Sequence, residues 1–169
     1  MRHVISVLMA NEAVDDMLEF HWIIDMLQTV DVGIVVLDRE FKIKMWNGFM
    51  ESHSGKLPSE VRDKTLFSIF PDIKPDWFAQ KAKPVFELKT RAFMLWEQRP
   101  YLFKFSNYRP ITGSEEFMYQ NIILSPLVSA SGKVEHISMM IYDMTDIASG
   151  KKQLEALQVM QSEALERGA

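Results

Sequence analysis

The 169-residue chain contains no cysteine. That one absence excludes disulfides, thiolate metal sites, cysteine nucleophiles and a flavin photoadduct on a thiol. It agrees with a reducing compartment, and the cytoplasm is the expected location. Apolar runs are short as well: none approaches the roughly 20 residues that cross a bilayer, so no membrane insertion is expected. Val4 to Ala10 follows Met1-Arg2-His3 but meets Glu12, Asp15 and Asp16 directly, and therefore reads as a helix start, not a secretory signal. Basic blocks are also missing. With 19 Lys and Arg against 23 Asp and Glu, interspersed to a net charge of −4, no phosphate-tracking stripe forms and no nucleic-acid partner is expected. The four histidines (His3, His21, His53 and His136) are scattered, without a metal-ligand spacing, so no metal site is expected. Neither a glycine-rich phosphate loop nor a Gly-x-Ser-x-Gly elbow occurs. Nothing pairs a nucleophile with a base, and an enzyme is not expected.

What remains is the composition of one globular domain with helical extensions, large enough for its own core. Ala13 to Val30 lacks Gly and Pro and places Met17, Phe20, Ile24 and Leu27 on one helical stripe. Leu18, Trp22, Ile23 and Met26 form a second stripe on the same helix. One stripe suffices for a peripheral helix, so two imply burial on two sides. A homodimer partner would satisfy that, and so would packing across the domain's own sheet.

Gly33 interrupts the helix. Ile34 to Leu37, then Phe41, Ile43 and Met45 alternating with Lys42, Lys44 and Trp46, read as a β-hairpin around Asp38-Arg39-Glu40. Short helices are predicted at Asn47–Ser54 (ended by Gly55), near Leu57–Val61 and at Thr65–Phe70. A longer helix opens at Pro75, with Trp77, Lys81, Val85 and Leu88 on one face and Phe78, Ala82 and Phe86 adjoining; Pro84 should kink it. Strands are predicted at Ala92–Trp96, Tyr101–Phe105, Met118–Val128 and Glu135–Tyr142, punctuated by Pro100, Pro110–Ser114 and Ser131-Gly132-Lys133. From Ile147 the chain turns helical again, with Ile147, Leu154, Leu157 and Ala164 near heptad spacing. Strands at both ends and helices between imply an antiparallel sheet with helices on one face, an α+β layer architecture.

Val32-Gly33-Ile34-Val35-Val36-Leu37-Asp38, followed by Lys42 to Asn47, resembles the opening of a PAS domain. Glu51, Gly55, Pro58, Glu60, Val61 and Lys64 are similar to that family's helix–Gly–helix passage, with Asp63 where Gly is common. Tyr142-Asp143-Met144-Thr145-Asp146-Ile147 resembles its terminal motif. The resemblance covers about Thr29 to Ile147. Trp96 to Tyr101, Arg109 to Gly113 and Met118 to Asn121 are similar to a bacterial subgroup that commonly precedes a GGDEF diguanylate cyclase, and no GGDEF segment lies in this chain. The resemblance implies a PAS fold with a five-stranded antiparallel sheet. It also implies a helical cap and dimerisation segment at 1–30, a sensor domain at 31–147 and a signalling helix at 148–169.

By that resemblance the chain is a sensory module, its last strand presenting Asp143, Thr145 and Asp146 to an output helix. Thr145 can cap that helix, and Asp143 can bond nearby backbone. Trp46, His53, Phe67, Phe70, Trp77, Phe86, Phe93 and Trp96 are candidates for a small-molecule pocket between helices and sheet, with a packed core as the alternative. Haem needs an axial side chain; the resemblance implies a histidine on the long helix for it, Trp77 to Lys89 offers none, and His53 is the remaining candidate. His136 sits beside the terminal motif. Arg99 or Arg109 can meet an anionic group, or form a surface ion pair. The alternative to sensing is a ligand-free dimerisation module held by Met17, Phe20, Ile24 and Leu27.

Overall fold

The computed structural model describes residues 17–106 and 116–167. The predicted helix start at Ala13, together with Arg109 and the punctuation at Pro110–Ser114, lies outside the described residues. Helix α1 (residues 17–29) leads into β1 (Gly33–Asp38) and β2 (Ile43–Trp46). Four helices follow: α2 (Gly48–Ser54), α3 (Pro58–Val61), α4 (Leu66–Ile69) and α5 (Pro75–Leu88). The chain then forms β3 (Ala92–Met94), β4 (Gln120–Val128) and β5 (Val134–Asp143), and leaves through α6 (Thr145–Arg167). All strand pairs are antiparallel, in the order β2-β1-β5-β4-β3. The α+β sheet-and-helix architecture expected from the sequence is the observed one.

The sheet's period of two sorts its side chains by face. Trp46, Val35, Met139, Leu124 and Ala92 stand in register as one row across all five strands. Leu37 and Ile137 stand beside that row, as do Ile141 and Ile122, all pointing at the helices and all buried. Helix α5 packs over β3, β4 and β5, α2 over β1 and α3 over β2. Each aliphatic side chain buried this way stabilises the fold by roughly 1.5–3 kcal/mol. On α5 the buried row is Phe78, Ala82 and Val85, while Leu88 is exposed. The face expected to lead with Trp77, Lys81 and Leu88 is therefore rotated by one position.

Local chemistry sets the boundaries. Asn47 caps α2 and Gly55 ends it in a left-handed conformation at φ 67°. Thr65 caps α4 by accepting from the Ser68 N–H at 3.3 Å. At the β1–β2 turn Asp38 Oδ1 accepts from the N–H groups of Glu40 and Lys42, each at 2.9 Å. Phe41 there takes φ 59°, a costly conformation for a bulky residue. Its ring is held edge-on among Phe67, Phe78 and Phe86, at 5.5, 5.4 and 6.3 Å between centroids. Residues 63–66 close the free edge of β2, since Asp63 N donates to Ile43 O and Ile43 N to Lys64 O.

One predicted strand does not form. Tyr101–Phe105 belongs to no regular strand: Phe103 and Phe105 are buried on either side of exposed Lys104, but Leu102 is buried as well. The backbone of Leu102 and Phe103 is held by a side chain instead of by a neighbouring strand. That side chain is Gln120. Its Oε1 accepts from Leu102 N at 3.0 Å and Phe103 N at 3.1 Å, and its Nε2 donates to Phe103 O at 2.7 Å.

Candidate functional site: the exit from the last strand

Gln120 opposes Asp143 where β4 begins and β5 ends. The pairing continues one residue further, with Met144 N donating to Tyr119 O at 2.8 Å. Met144 O then accepts the first helical bond of α6, from Ala148 N at 2.8 Å. Strand becomes helix without an intervening loop. Asp143 Oδ1 accepts from the Thr145 N–H at 2.9 Å and from the Thr145 hydroxyl at 2.5 Å. The hydroxyl in turn accepts from Tyr119 N at 3.1 Å. A directional chain thus runs from the Tyr119 amide through the Thr145 hydroxyl to the Asp143 carboxylate. Thr145 is buried, so nothing in solvent replaces these bonds at equal ease.

The roles differ from those expected in one respect. Met144 occupies the cap position, Asp143 satisfies the first free N–H of the helix, and the Thr145 hydroxyl faces β4. Asp146 is exposed in the first turn of α6, where a negative charge suits the helix dipole.

Two lysines in the second turn complete the seat of α6, and neither was evident from the sequence. Lys151 Nζ lies 5.3 Å from the centre of the Trp96 ring and 3.5 Å from Glu97 Oε1. Lys152 Nζ lies over the Tyr119 ring at 4.6 Å and bonds its hydroxyl. Trp96 and Tyr119 themselves meet edge-to-face at 5.5 Å. Trp96 N donates to Asn121 Oδ1 at 2.9 Å. Three consecutive residues at the entry to β4 therefore each hold a different neighbour: Tyr119 the exit helix, Gln120 the 102–103 segment, Asn121 the turn after β3. Beyond Lys152, α6 carries Leu154, Leu157, Val159, Met160 and Leu165 exposed.

A second junction lies at the same end of the sheet, where β1 starts beside the end of β5. Asn47 Nδ2 donates to Leu27 O at 3.0 Å and Val32 O at 2.8 Å, while its Oδ1 accepts from Ile34 N at 2.9 Å. A single buried amide so joins α1, β1 and α2. Apart from this end, α1 is bare: Met17, Phe20 and Ile24 of the first stripe are exposed and Leu27 is half-buried, and Leu18, Trp22, Ile23 and Met26 of the second are exposed too.

The candidate pocket residues are not brought together around one opening. Trp46, Phe70, Phe103, Phe105, His53 and Phe49 form a continuous series of ring contacts, from 5.9 Å between Trp46 and Phe70 to 4.1 Å between His53 and Phe49. Phe67 and Phe86 belong to the cluster around Phe41, where Arg39 lies over Phe86 at 5.2 Å. Both sets fill the space between helices and sheet. Phe93 is a correction: it stands in register with Ile123 on the sheet's opposite face and is 54% exposed, so it does not line the interior. Trp77 is half-buried at a surface groove, and Trp96 belongs to the seat of α6. His136 is half-buried on β5 opposite Asp38. At His53 the imidazole Nδ1 is engaged with Phe49 O at 2.9 Å, and Phe49 and Phe105 occupy the space beside the ring that a macrocycle would need. Among the described residues no cluster of three or more acidic or histidine side chains can hold a metal ion, and no helix is long and apolar enough to cross a membrane.

A five-stranded antiparallel sheet with short helices on one face and a helix leaving directly from its last strand defines a PAS-type domain. Residues 27–148 match the family described as PAS fold, and the chain belongs to that family. Its structure is similar to a sensory box sensor histidine kinase from Vibrio cholerae (TM-score 0.53, 22% identity, 80% of this chain and 97% of that one). It is also similar to an RNA-binding light-oxygen-voltage receptor (TM-score 0.59, 16% identity, 88% of this chain and 39% of that one). A third likeness is to histidine kinase ThkA in complex with response regulator TrrA (TM-score 0.53, 22% identity, 84% and 39%). At these identities the likenesses show the fold. No curated protein matches the chain by sequence.

Proposed function

We propose that the chain is a sensory module that relays a change in the domain to an output domain through α6. The observation that carries this reading is the bonding of Thr145 to both Asp143 and Tyr119, which ties the first turn of α6 to the edge between β4 and β5. A small shift of either strand alters the direction in which a 23-residue helix leaves. Ile147, Leu154 and Leu157 are exposed at heptad spacing and suit a second helix as partner. A signal acts here only by binding one of two arrangements better than the other. The output domain would be a signalling enzyme such as a diguanylate cyclase, the partner class suggested by the Trp96–Tyr101 and Met118–Asn121 passages, or a histidine kinase. The test is to fuse the chain through α6 to either reporter and to compare Thr145→Val with the parent. Output altered at least about threefold without loss of the fold supports the relay, whereas unchanged output overturns it.

The second reading is a ligand-free dimerisation module. What favours it is the bare state of α1, with Met17, Phe20 and Ile24 exposed, together with the filled interior. Sedimentation of a chain beginning at Thr29 discriminates: a monomer supports dimerisation through α1, and a persistent dimer rules it out.

A further inference from the structure

Outside the exit site, a groove beside α5 sets two cations against apolar walls. It is lined by Trp77 and Lys81 of α5, Met94 of β3, and Leu95, Gln98 and Arg99 of the turn that follows, and encloses about 340 Å³. Trp77 and Lys81 share a helix face because they stand four residues apart. The turn is closed by Gln98 N and Arg99 N, which both donate to Leu95 O at 3.0 Å. Arg99 is laid over the Trp77 ring at 4.4 Å, and its Nε donates to Tyr101 O at 3.2 Å. The guanidinium is therefore fixed in place before any ligand arrives. Among the described residues its terminal nitrogens bond nothing, and neither Arg99 nor Lys81 has a carboxylate within ion-pair distance. By contrast Arg39, Lys44, Lys104 and Lys151 each face one.

We propose that this groove binds a small organic carboxylate with an apolar body. A planar guanidinium held by stacking presents two parallel N–H donors, the fork that matches a carboxylate. Lys81 adds a second positive charge, and the Gln98 amide supplies a neutral donor or acceptor. Trp77, Met94 and Leu95 offer an apolar wall that bare phosphate would leave wet. A neutral aromatic compound would leave both cations unmatched. The volume lies within the roughly 300–1,000 Å³ of small-molecule sites. The same turn carries Trp96 and Glu97, which hold Lys151 of α6. A role for the groove as the signal input rests on the relay proposed above; the binding does not.

The test is a titration of the isotope-labelled chain with phenylacetate, followed by amide NMR, with phenylacetamide and inorganic phosphate as comparison probes. Saturable shifts are expected at the Trp77 indole N–H and the Gln98 side-chain amide. Affinity should fall at least about tenfold for phenylacetamide, for phosphate and for the Arg99→Gln and Lys81→Gln variants. Lys81→Gln leaves the turn's own bonds intact and so reads charge alone if Arg99→Gln disturbs the turn. Absence of saturable shifts up to about 10 mM phenylacetate overturns the site, as does equal affinity for the amide or for both variants. Failure of the relay shows elsewhere, as unchanged output of Thr145→Val, an experiment that contains no ligand.

Discussion

One carboxylate oxygen of Asp143 receives both protons that Thr145 can offer, the backbone N–H at 2.9 Å and the hydroxyl at 2.5 Å. The hydroxyl oxygen also accepts from Tyr119 N. Thr145→Val keeps the shape of the side chain and removes the oxygen, so the part-buried Tyr119 N–H loses its bond to that hydroxyl. The expected cost is about 1–3 kcal/mol in urea unfolding, with faster amide exchange at Tyr119 and in residues 146–149. Asp143→Ala leaves the Tyr119 bond in place and should loosen only the first turn of α6. If both variants exchange at the parent's rate there, the tie has no mechanical consequence.

Gly48 and Gln28 stand closer than any other residue would allow. A Cβ at Gly48 would come within 2.3 Å of the Gln28 carbonyl oxygen, a backbone atom that cannot swing away. Gly48→Ala should therefore push the end of α1 off the domain and strain the Asn47–Leu27 bond beside it. A loss of about 1–3 kcal/mol is expected, with protection falling in residues 17–29 and unchanged in β4 and β5. Hydrogen exchange resolved by residue gives the answer directly, and equal loss across the sheet would contradict it.

Much of the frame was legible because it rests on local signals. The apolar run of β1, the alternation through Phe41–Trp46, Asn47 at the start of α2, Gly55 at its end and the prolines at 58 and 75 each act within a few residues of themselves. The failures share a different cause. Tyr101–Phe105 alternates on paper, yet its backbone is held by Gln120, fifteen or more positions away, and no periodicity reports such a bond. Lys151 and Lys152 carry no signal in the sequence, because the fold alone sets Trp96 and Tyr119 beneath them. Phe93 was placed inside by composition, whereas register with Ile123 turns it outward. A single residue decides such a face, and the strand is only three residues long.

The β1–β2 hairpin gives a pH dependence of known sign. Partial burial pushes Asp38 up, but the N–H groups of Lys42 and Glu40 and the charge of Lys44 outweigh it, and its pKa lies below the usual carboxylate value. Asp63 is lowered by its bond to Lys44 at 2.7 Å. Lowered carboxylates stabilise the fold above the unfolded value, about pH 4, and that contribution is lost as pH falls through the folded value. Lys44 and Lys42 are raised, by Asp63 and Glu40 respectively, so their contribution is complete below about pH 10 and lost as pH rises further. Stability should decline below about pH 4 more gently in Asp38→Asn than in the parent. Parallel acid limbs for the two proteins would remove Asp38 from the account.

Gln120 offers the sharpest test of how the irregular segment is held. Its side chain is 1% exposed, and one amide satisfies three backbone groups: Leu102 N, Phe103 N and Phe103 O. Its own backbone N–H donates to Pro100 O at 2.8 Å, so the segment is also tied by a bond that no side-chain change removes. Gln120→Met keeps the length and nearly the volume while deleting all three side-chain bonds. With each buried group left unpaired costing about 1–3 kcal/mol, a total near 3 kcal/mol or more is expected in urea unfolding. Gln120→Glu retains the two accepted bonds but sets a carboxylate oxygen against Phe103 O, so it should fall between parent and Met. It should also recover towards the parent as pH drops and the acid gains a proton to donate. A Met variant within about 1 kcal/mol of the parent would mean that water enters and takes over the amide's bonds.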